Sequence, residues 1–223
     1  MSEPFPAQWR TAVVMMPHPD DPEFAAAAVA KWTAAGKTVH YVLASRGERG
    51  IAGMDPQAAG PLREAEQRRA AAIVGVDDVQ FWDFPDSDIH NDARLRAAIT
   101  DTLAALDPEV VVTVYGRPEW APGVPNQRDH VEFAGAVLAA YDGLSNPPQW
   151  LFSVARQGTH VEIVDDYIEV AIESFAAHER YLSVLDPSTP PIDQARTTLN
   201  MTAPAGLDTG GQRAVHFVVE RHR

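Results

Sequence analysis

The stretch "AVVMMPHPDDPEFAAAAVAKWTAA" (residues 12–35) combines three different patterns. Its first five residues are apolar, and together with Thr11 they predict a strand at 11–16 that is buried on both faces. Its second half is rich in alanine and predicts a helix from about Pro22 to the end of the stretch. Between the two patterns lie His18, Asp20 and Asp21. The sequence therefore places one imidazole and two carboxylates in a tight turn that follows a predicted buried strand.

Apolar runs and helix-forming segments alternate along the following hundred residues. Further strands are predicted at 38–45, 79–84 and 109–115, and further helices at 62–75, 93–106 and 129–141. The segment between the second strand and the next helix, residues 46–61, is predicted to be a glycine-containing loop. Strands and helices in turn with short connections are typical of βαβ units. We therefore expect an α/β fold with a mainly parallel sheet, whose sites lie outside the carboxyl ends of its strands.

The pattern is less regular after about residue 150. Strands are predicted at 150–155 and 160–165, and a helix at 167–185. Residues 186–212 are rich in Pro, Thr and Gly, so we expect an irregular segment there, before a final strand at 214–221. The sequence shows no internal repeat and no linker, and we expect residues 1–223 to form a single domain.

Composition and charge exclude several classes of protein. The net charge of -13 argues against a nucleic-acid partner, because phosphate binding requires clustered Lys and Arg. The 223 residues include no cysteine, so any metal would be bound by His and carboxylates. The N-terminus lacks the pattern of a signal peptide, and no apolar run approaches the ~20 residues of a membrane helix. We expect a cytoplasmic protein that does not enter a membrane.

The acidic turn has two interpretations. In the first, Asp21, Pro22 and Glu23 form the start of a helix, with Asp21 as the N-cap. This interpretation leaves His18 and Asp20 without a role. In the second, the turn contributes two ligands to a divalent metal.

The metal interpretation requires a third ligand from elsewhere in the chain. A catalytic zinc site has three protein ligands and one position open for water. His18 and Asp21 would supply two ligands, and His130, just past the fourth predicted strand, is the best candidate for the third. Asp20 would then lie beside the metal as the base that deprotonates water.

Five segments in consistent order resemble one known family. They are "PHPDDPEF" (17–24), "LASRGERG" (43–50), "REAEQRRAAAIVGV" (63–76), "FWDFPDSDI" (81–89) and the helix and strand at 94–115 before His130. Together they resemble the PIG-L/LmbE-like zinc-dependent de-N-acetylases over residues 11–141, and 176–182 is a weaker match to the family's late helix. The resemblance implies a Rossmann-like, LmbE-like three-layer fold with helices on both faces of the sheet.

The resemblance also implies a role for individual residues. His18, Asp21 and His130 match zinc ligands, and Asp20 matches the general base. Arg63 and Asp86 match positions that contact a sugar-type substrate; the alternatives are a solvated helix residue and a turn residue. The remaining candidates for catalysis are Gln127 and Asp129, in the segment Q-R-D-H at residues 127–130 that matches the family's second motif. Asp129 is also expected to be the N-cap of a helix.

Gln127 departs from the family pattern. The second motif is commonly H-x-D-H, and here it reads Q-R-D-H at residues 127–130. An amide donates a hydrogen bond to an oxyanion but does not deliver a proton near neutral pH. Loss of one oxyanion donor costs ~10²–10³ in rate. Either Asp20 carries out both proton transfers, or another histidine reaches the site; the candidates are His160, His178, His90 and His216.

The function expected from these features is removal of an acetyl group from an N-acetylated amino sugar or a conjugate that carries one. Zinc is the expected metal, although iron or manganese also suits two histidines and one aspartate. One alternative is a metal-dependent amidase that acts on a larger thiol-sugar conjugate, and another is a non-catalytic binding protein on the same fold. A nucleotide-binding Rossmann domain is excluded, because no G-x-G-x-x-G follows the first predicted strand. The partner is a small molecule, and a homo-oligomer is compatible with the sequence.

Overall fold

A mixed sheet of eight strands organises the protein, and the computed structural model describes residues 2–206 and 209–223. The strands of this sheet are β1 (Glu3–Pro4), β2 (Thr11–Met16), β3 (Thr38–Leu43), β4 (Asp78–Phe81), β5 (Val110–Thr113), β8 (Trp150–Ala155), β9 (His160–Ile163) and β10 (Ala214–His222). Two further strands, β6 (Glu119–Ala121) and β7 (Val124–Pro125), form a separate antiparallel pair.

Helices connect most of the strands. A 3-10 helix at Asp21–Ala25 leads directly into α1 (Ala26–Ala34). The other α-helices are α2 (Pro56–Ile73), α3 (Ala93–Leu106), α4 (Arg128–Asp142), α5 (Ile168–Ala176), α6 (Glu179–Leu185) and α7 (Pro191–Thr202). Helices α1, α2 and α7 pack against α5, whereas α3 packs against α4. Within the described residues, no helix has the length and apolar character that crossing a bilayer requires.

The order in which the chain adds strands to the sheet reverses direction at β2. The order across the sheet is β1-β9-β10-β8-β5-β2-β3-β4. Strands β4, β3, β2, β5 and β8 are parallel, and β10 is antiparallel to both of its neighbours. The chain runs outward from β2 through β3 and β4, and then returns to the other side of β2 as β5. The prediction of an α/β fold with a mainly parallel sheet is confirmed.

The core lies along the central strands. Residues Ala12 to Met16 of β2 and Val110 to Val112 of β5 are fully buried, as expected for strands with helices on both faces. Ala25 to Ala28, where the 3-10 helix leads into α1, are fully buried too, and their small side chains allow close packing. The apolar part of the opening stretch therefore supplies the centre of the core, and its polar turn emerges at one edge of the sheet.

Two predicted helix boundaries are wrong. The helix predicted from Pro22 begins instead as a 3-10 helix, and the α-helix starts at Ala26. The helix predicted at 62–75 begins earlier, at Pro56, inside the predicted loop. Asp55 is its N-cap and accepts a hydrogen bond from the backbone N–H of Gln57 at 2.9 Å. A cap followed by proline at the first helical position is a favourable start for a helix.

The C-terminal part also differs from the expectation. The single helix predicted at 167–185 is divided into α5 and α6, because the backbone of His178 leaves the helical conformation and its side chain turns inward. The segment 186–212, expected to be irregular, contains α7 in its described part. Pro191 occupies the first position of that helix, where the missing N–H of proline has no cost. Residues 207 and 208 lie outside the described residues.

Candidate active site

The predicted ligands meet at the carboxyl edge of the sheet. His18 lies in the turn after β2, and His130 lies in the first turn of α4, which the chain reaches after β5. Because β2 and β5 are parallel neighbours, their carboxyl ends open on the same edge. This edge is also where the strand order reverses, the usual position of a site in an open α/β sheet.

Asp21 bridges the two histidines. One of its oxygens, Oδ2, lies 3.1 Å from His18 Nδ1, and the other, Oδ1, lies 3.2 Å from His130 Nε2. All three side chains are buried, and one potential ligand atom of each lies within 4.8 Å of the others. Asp21 Oδ2 also accepts the backbone N–H of His18 at 3.0 Å, and the 3-10 helix has no side-chain cap. The interpretation of Asp21 as a helix cap is therefore wrong.

The donor atoms suit a divalent cation. His130 Nε2 is buried. Although it lies 3.2 Å from Asp21 Oδ1, it makes no hydrogen bond within the described part of the chain. Three buried carboxylates, those of Asp21, Asp86 and Asp129, lie around the two imidazoles, and none forms an ion pair with Lys or Arg in the described ranges. Uncompensated buried charge is costly. A cation held by His18, Asp21 and His130 would remove that cost.

Asp129 and Asp86 face the other nitrogen of His18. His18 Nε2 lies 3.1 Å from Asp129 Oδ2 and 3.5 Å from Asp86 Oδ1. With His18 Nε2 protonated and donating to Asp129, Nδ1 remains available as a ligand on the side of Asp21. The expectation that Asp129 is the N-cap of α4 is wrong, because the helix begins at Arg128 and Gln127 occupies the cap position.

The carboxylates of Asp21, Asp86 and Asp129 strongly favour a positive charge on the imidazole of His18. Burial lowers the pKa of His18, but hydrogen bonds with Asp129 and Asp21 and the nearby aspartate charges outweigh it and raise the pKa to about 10. Burial raises the pKa of Asp21, yet His130 and His18 together hold it below its ordinary value. In the absence of a metal, a proton on His18 supplies that positive charge.

Asp20 is held in an unusual conformation. Its backbone is left-handed, with φ 82° and ψ -26°, which costs a non-glycine residue of order 1 kcal/mol. Its N–H donates to Gln67 Oε1 at 2.8 Å, and its Oδ1 accepts from Arg63 Nη2 at 2.6 Å. Burial raises the pKa of the Asp20 carboxyl to about 6, against the opposing effect of Arg63. A carboxylate with this pKa accepts a proton more readily than an ordinary aspartate.

Arg63 lies behind Asp20. Besides Asp20, its guanidinium donates to the carbonyl oxygens of Pro19 and Gly47, at 2.7 and 2.9 Å. The same group lies over the ring of Tyr181, 4.2 Å from its centroid. Arg63 is therefore a buried residue that orders the turn around Asp20, and not a solvated helix residue.

A small cavity of about 200 Å³ opens beside these groups. Its walls are formed by His18, Asp20, Asp21, Gly50, Arg63, Asp86, Ser87, Gln127 and Tyr181. The side chain of Asp86 is held in place at the cavity wall, because its Oδ2 accepts a hydrogen bond from the backbone N–H of Arg49 at 2.8 Å. Six of the eight predicted site residues line this cavity. His130 lies next to Asp21, and Asp129 lies next to His18.

None of the four histidines considered as a substitute for the motif histidine lines the cavity in the described structure. His90 is exposed and lies 2.9 Å from both Asp88 and Arg128. His178 is fully buried, 3.3 Å from Glu23. His160 packs against the rings of Trp150 and Phe152, and His216 is buried in β10. The sequence left open whether another histidine reaches the site; none of these four lines the cavity, and His160, His178 and His216 are buried outside it.

Two contributors to the site were missed from the sequence. Tyr181 is in α6 and presents its ring to Arg63, and Gln67 is in α2, where its Nε2 donates to Glu23 Oε1 at 2.7 Å. Glu23 in turn accepts a hydrogen bond from Ser174 at 2.9 Å. The available signal for Tyr181 was the weak family match at 176–182. No local pattern marks Gln67, because it reads as an ordinary polar position of a helix.

The fold and the site define an α/β protein with a buried histidine–aspartate centre suited to a divalent cation. The family model of GlcNAc-PI de-N-acetylase (PIG-L) matches residues 13–141, more than half of the chain, and the chain therefore belongs to this family. The matched range includes all eight residues that the sequence predicted as metal ligands, catalytic groups or substrate contacts. The resemblance to PIG-L/LmbE-like proteins is confirmed.

Three known proteins are similar to this chain. The sequence is 27% identical over 187 residues to "Probable N-acetyl-alpha-D-glucosaminyl L-malate deacetylase 2" of Bacillus anthracis, covering 76% of this chain and 80% of that protein. It is 27% identical over 202 residues to diacetylchitobiose deacetylase of Thermococcus kodakarensis, covering 80% and 72%. The structure of N,N'-diacetylchitobiose deacetylase from Pyrococcus horikoshii superposes with a TM-score of 0.80 at 17% identity, covering 95% of this chain and 84% of that one. At that identity the superposition shows a shared fold.

Proposed function

We propose that the protein is a metal-dependent hydrolase that removes the acetyl group from an N-acetylated amino sugar or a conjugate that carries one. The observation that carries the proposal is the buried group of His18, Asp21 and His130, with Asp20 beside it at the floor of an open cavity. Membership of a de-N-acetylase family and two relatives named as deacetylases support the reaction.

His18, Asp21 and His130 would hold the metal. Two histidines and one aspartate suit zinc best, and iron or manganese is the alternative. The bound metal would polarise the acetyl carbonyl and make water more acidic. Asp129 would orient His18 through Nε2 and so acts as a positioning residue, with no direct part in the chemistry.

Asp20 would move the proton. Its carboxylate, held by Arg63, accepts a proton from the water that attacks the acetyl carbon. Because His18, a proposed metal ligand, is the only histidine that lines the cavity among the described residues, the protonated Asp20 then delivers this proton to the leaving amine. The products are acetate and a free amino group, and the carboxylate of Asp20 is regenerated.

Gln127 and Tyr181 would stabilise the oxygen of the acetyl group. Both side chains line the cavity and neither forms a side-chain hydrogen bond to the described residues. The charge of Asp20 and burial raise the pKa of Tyr181, so its hydroxyl keeps its proton as a hydrogen-bond donor. An amide and a phenol are both suitable donors to a developing oxyanion.

Release of free amine from N-acetylglucosamine by the zinc-loaded protein tests this function. Asp20→Asn should lower kcat by about 10²- to 10⁴-fold, since it removes the base and preserves the size of the side chain. Asp77→Asn is the matched control, because Asp77 is exposed and outside the site. Wild-type protein that binds zinc and releases no amine from N-acetylglucosamine or from conjugates that carry it would instead indicate a binding protein. Full activity in Asp20→Asn would contradict the role of Asp20.

A further inference from the structure

A group of four fully buried polar side chains lies behind the metal site and has no part in the chemistry described so far. Its members are Glu23, Gln67, Ser174 and His178, and we name it the Glu23 cluster. They come from the 3-10 helix after β2, from α2, from α5 and from the break between α5 and α6. Burying several polar side chains together is costly unless their hydrogen bonds are made.

Glu23 is the centre of the cluster. Its Oε1 accepts from Gln67 Nε2 at 2.7 Å and lies 3.3 Å from His178 Nε2, and its Oε2 accepts from Ser174 Oγ at 2.9 Å. Neither Lys nor Arg forms an ion pair with Glu23 in the described ranges. Replacing a buried polar group by well-packed apolar residues is often neutral for stability. Stability alone therefore does not account for the cluster.

The cluster reaches the catalytic turn through Gln67. The Nε2 of this residue donates to Glu23, and its Oε1 accepts the backbone N–H of Asp20 at 2.8 Å. The amide fits in only one orientation, because the oxygens of Glu23 act as acceptors and the N–H of Asp20 requires an acceptor. The carboxylate of Glu23 therefore determines which way the Gln67 amide points.

Gln67 and Arg63 contact Asp20 from the same face of α2. They are four residues apart, so both side chains project from one side of the helix. Arg63 donates to the carboxylate of Asp20, and Gln67 accepts from its backbone. One helix therefore fixes the side chain of the base and, through a separate hydrogen bond, the peptide group that precedes it.

The backbone of Asp20 requires this second hydrogen bond. Its left-handed conformation, with φ 82°, is unfavourable for a residue that has a Cβ. With this conformation the side chains of both Asp20 and Asp21 line one cavity, whereas successive side chains of an extended segment alternate in direction. A buried hydrogen bond to the N–H of Asp20 offsets a conformational cost of similar size.

We propose that Gln67 is a positioning residue for the base Asp20, and that Glu23, held by Ser174 and His178, fixes the Gln67 amide in the orientation that this role requires. The inference rests on the proposed de-N-acetylase function. Gln67 is not among the described residues that line the cavity, so it acts on the reaction through Asp20. The break between α5 and α6 also gains a role, since His178 leaves the helix to reach Glu23.

Removal of the Gln67 amide tests the proposal. Gln67→Met keeps the length of the side chain and removes both of its hydrogen bonds. In amine release from N-acetylglucosamine by the zinc-loaded protein, we expect kcat to fall about 10- to 100-fold and KM to stay within about twofold of the wild-type value. The reason is that a misplaced base affects the transition state and not the binding of substrate. Zinc affinity should be unchanged, since the hydrogen bonds of Gln67 go to Asp20 and Glu23.

Gln194→Met is the matched control. Gln194 Nε2 donates to three carbonyl oxygens at the end of α6 and before α7, those of Leu182, Asp186 and Thr189. The same substitution there removes hydrogen bonds outside the cavity wall, so it should lower stability and leave kcat at the wild-type value. Equal losses of kcat in the two variants, or wild-type kcat in Gln67→Met, would overturn the proposal.

An exchange of the amide and the carboxylate tests the role of Glu23 without placing an apolar side chain in the cluster. Gln67→Glu alone keeps an acceptor for the N–H of Asp20 but places a second carboxylate against Glu23, and kcat should fall at least about tenfold. Adding Glu23→Gln restores one donor and one acceptor between the two positions, and kcat should recover most of that loss. A double variant that is no more active than Gln67→Glu would contradict the role of Glu23.

Amide hydrogen exchange at Asp20, measured by NMR on zinc-loaded protein without substrate, separates failure of the two proposals. If the wild type releases no amine, the proposed function fails, and the exchange rate still tests Gln67. Slow exchange in the wild type and in Gln194→Met that becomes about five- to tenfold faster in Gln67→Met would support the positioning role. Fast exchange of this amide in the wild type, or an equal rate in the two variants, would overturn it.

Discussion

Both ring nitrogens of His18 lie close to carboxylates, and this arrangement determines how the residue can act. Nδ1 is near Asp21 and Nε2 is near Asp129. A metal-ligating histidine usually donates its second N–H to a carboxylate or a carbonyl, which fixes its tautomer and orientation. Asp129 is in the position to accept that hydrogen bond, and its Oδ1 is itself fixed by the backbone N–H of Ile89 at 3.3 Å.

Asp129→Asn should weaken zinc binding by about 10- to 100-fold, because the amide is a poorer acceptor and no longer selects the tautomer of His18. Titration with zinc in the presence of a competing chelator measures the affinity, with Asp77→Asn as the control for the loss of one carboxylate. Unchanged affinity together with lost activity would show that Asp129 acts in the chemistry and not through His18.

The sequence predicted the residues of the site whose chemistry is unusual for their position. An imidazole and two aspartates after a buried strand are informative, and so is a histidine after another strand, because parallel strands bring both to one edge. Gln67 and Tyr181 carry no such signal, since a glutamine or a tyrosine in an amphipathic helix is ordinary. Their contribution depends on the packing of α2 and α6 around the turn, which local sequence does not encode.

At the scale of elements, α2 contains both Arg63 and Gln67, which form hydrogen bonds with Asp20. The position of Asp20 therefore depends on where this helix begins. Asp55 caps the helix and Pro56 begins it, although glycine and a second proline follow. The stretch was predicted to be a loop because Gly60 and Pro61 are poor helix formers. The cap, the first-turn proline and packing against α5 outweigh that preference.

Asp55→Ala should lower the free energy of unfolding by about 1 kcal/mol, the usual cost of removing an N-cap side chain. The measurement is the urea midpoint, compared with that of Asp101→Ala. Asp101 is an exposed residue in the middle of α3, and its replacement by alanine should not destabilise the protein. Equal midpoints for the two variants would contradict the capping role of Asp55.

Strands and helices were predicted best where the apolar pattern is strong. The prediction of β2 as residues 11–16 and of α3 as 93–106 agrees with the structure at both ends. The division between α5 and α6 was not predictable, because His178 leaves the helix to reach Glu23, a contact over 155 positions of sequence. The helix α7 was missed because the segment "DPSTPP" before it is typical of a loop.

At the scale of the whole molecule, the fold brings together buried carboxylates whose negative charges repel one another. Asp21, Asp86 and Asp129 are buried around His18 at the point where the strand order reverses. A ligand that binds only the folded state stabilises it by RT ln(1 + [L]/Kd), about 2.7 kcal/mol at a concentration of 100 Kd. Zinc at that excess should therefore raise the melting temperature of wild-type protein, and a chelator should lower it again.

The most direct test of the central claim is the metal content of protein purified without chelator, measured by mass spectrometry for wild type, His130→Ala and His222→Ala. His222 is exposed at the opposite edge of the sheet and stacks on Trp150, so it serves as the control. We predict about one equivalent of zinc or iron in the wild type and the control, and its loss from a folded His130→Ala. Wild-type protein that holds no metal even after incubation with zinc would contradict the account.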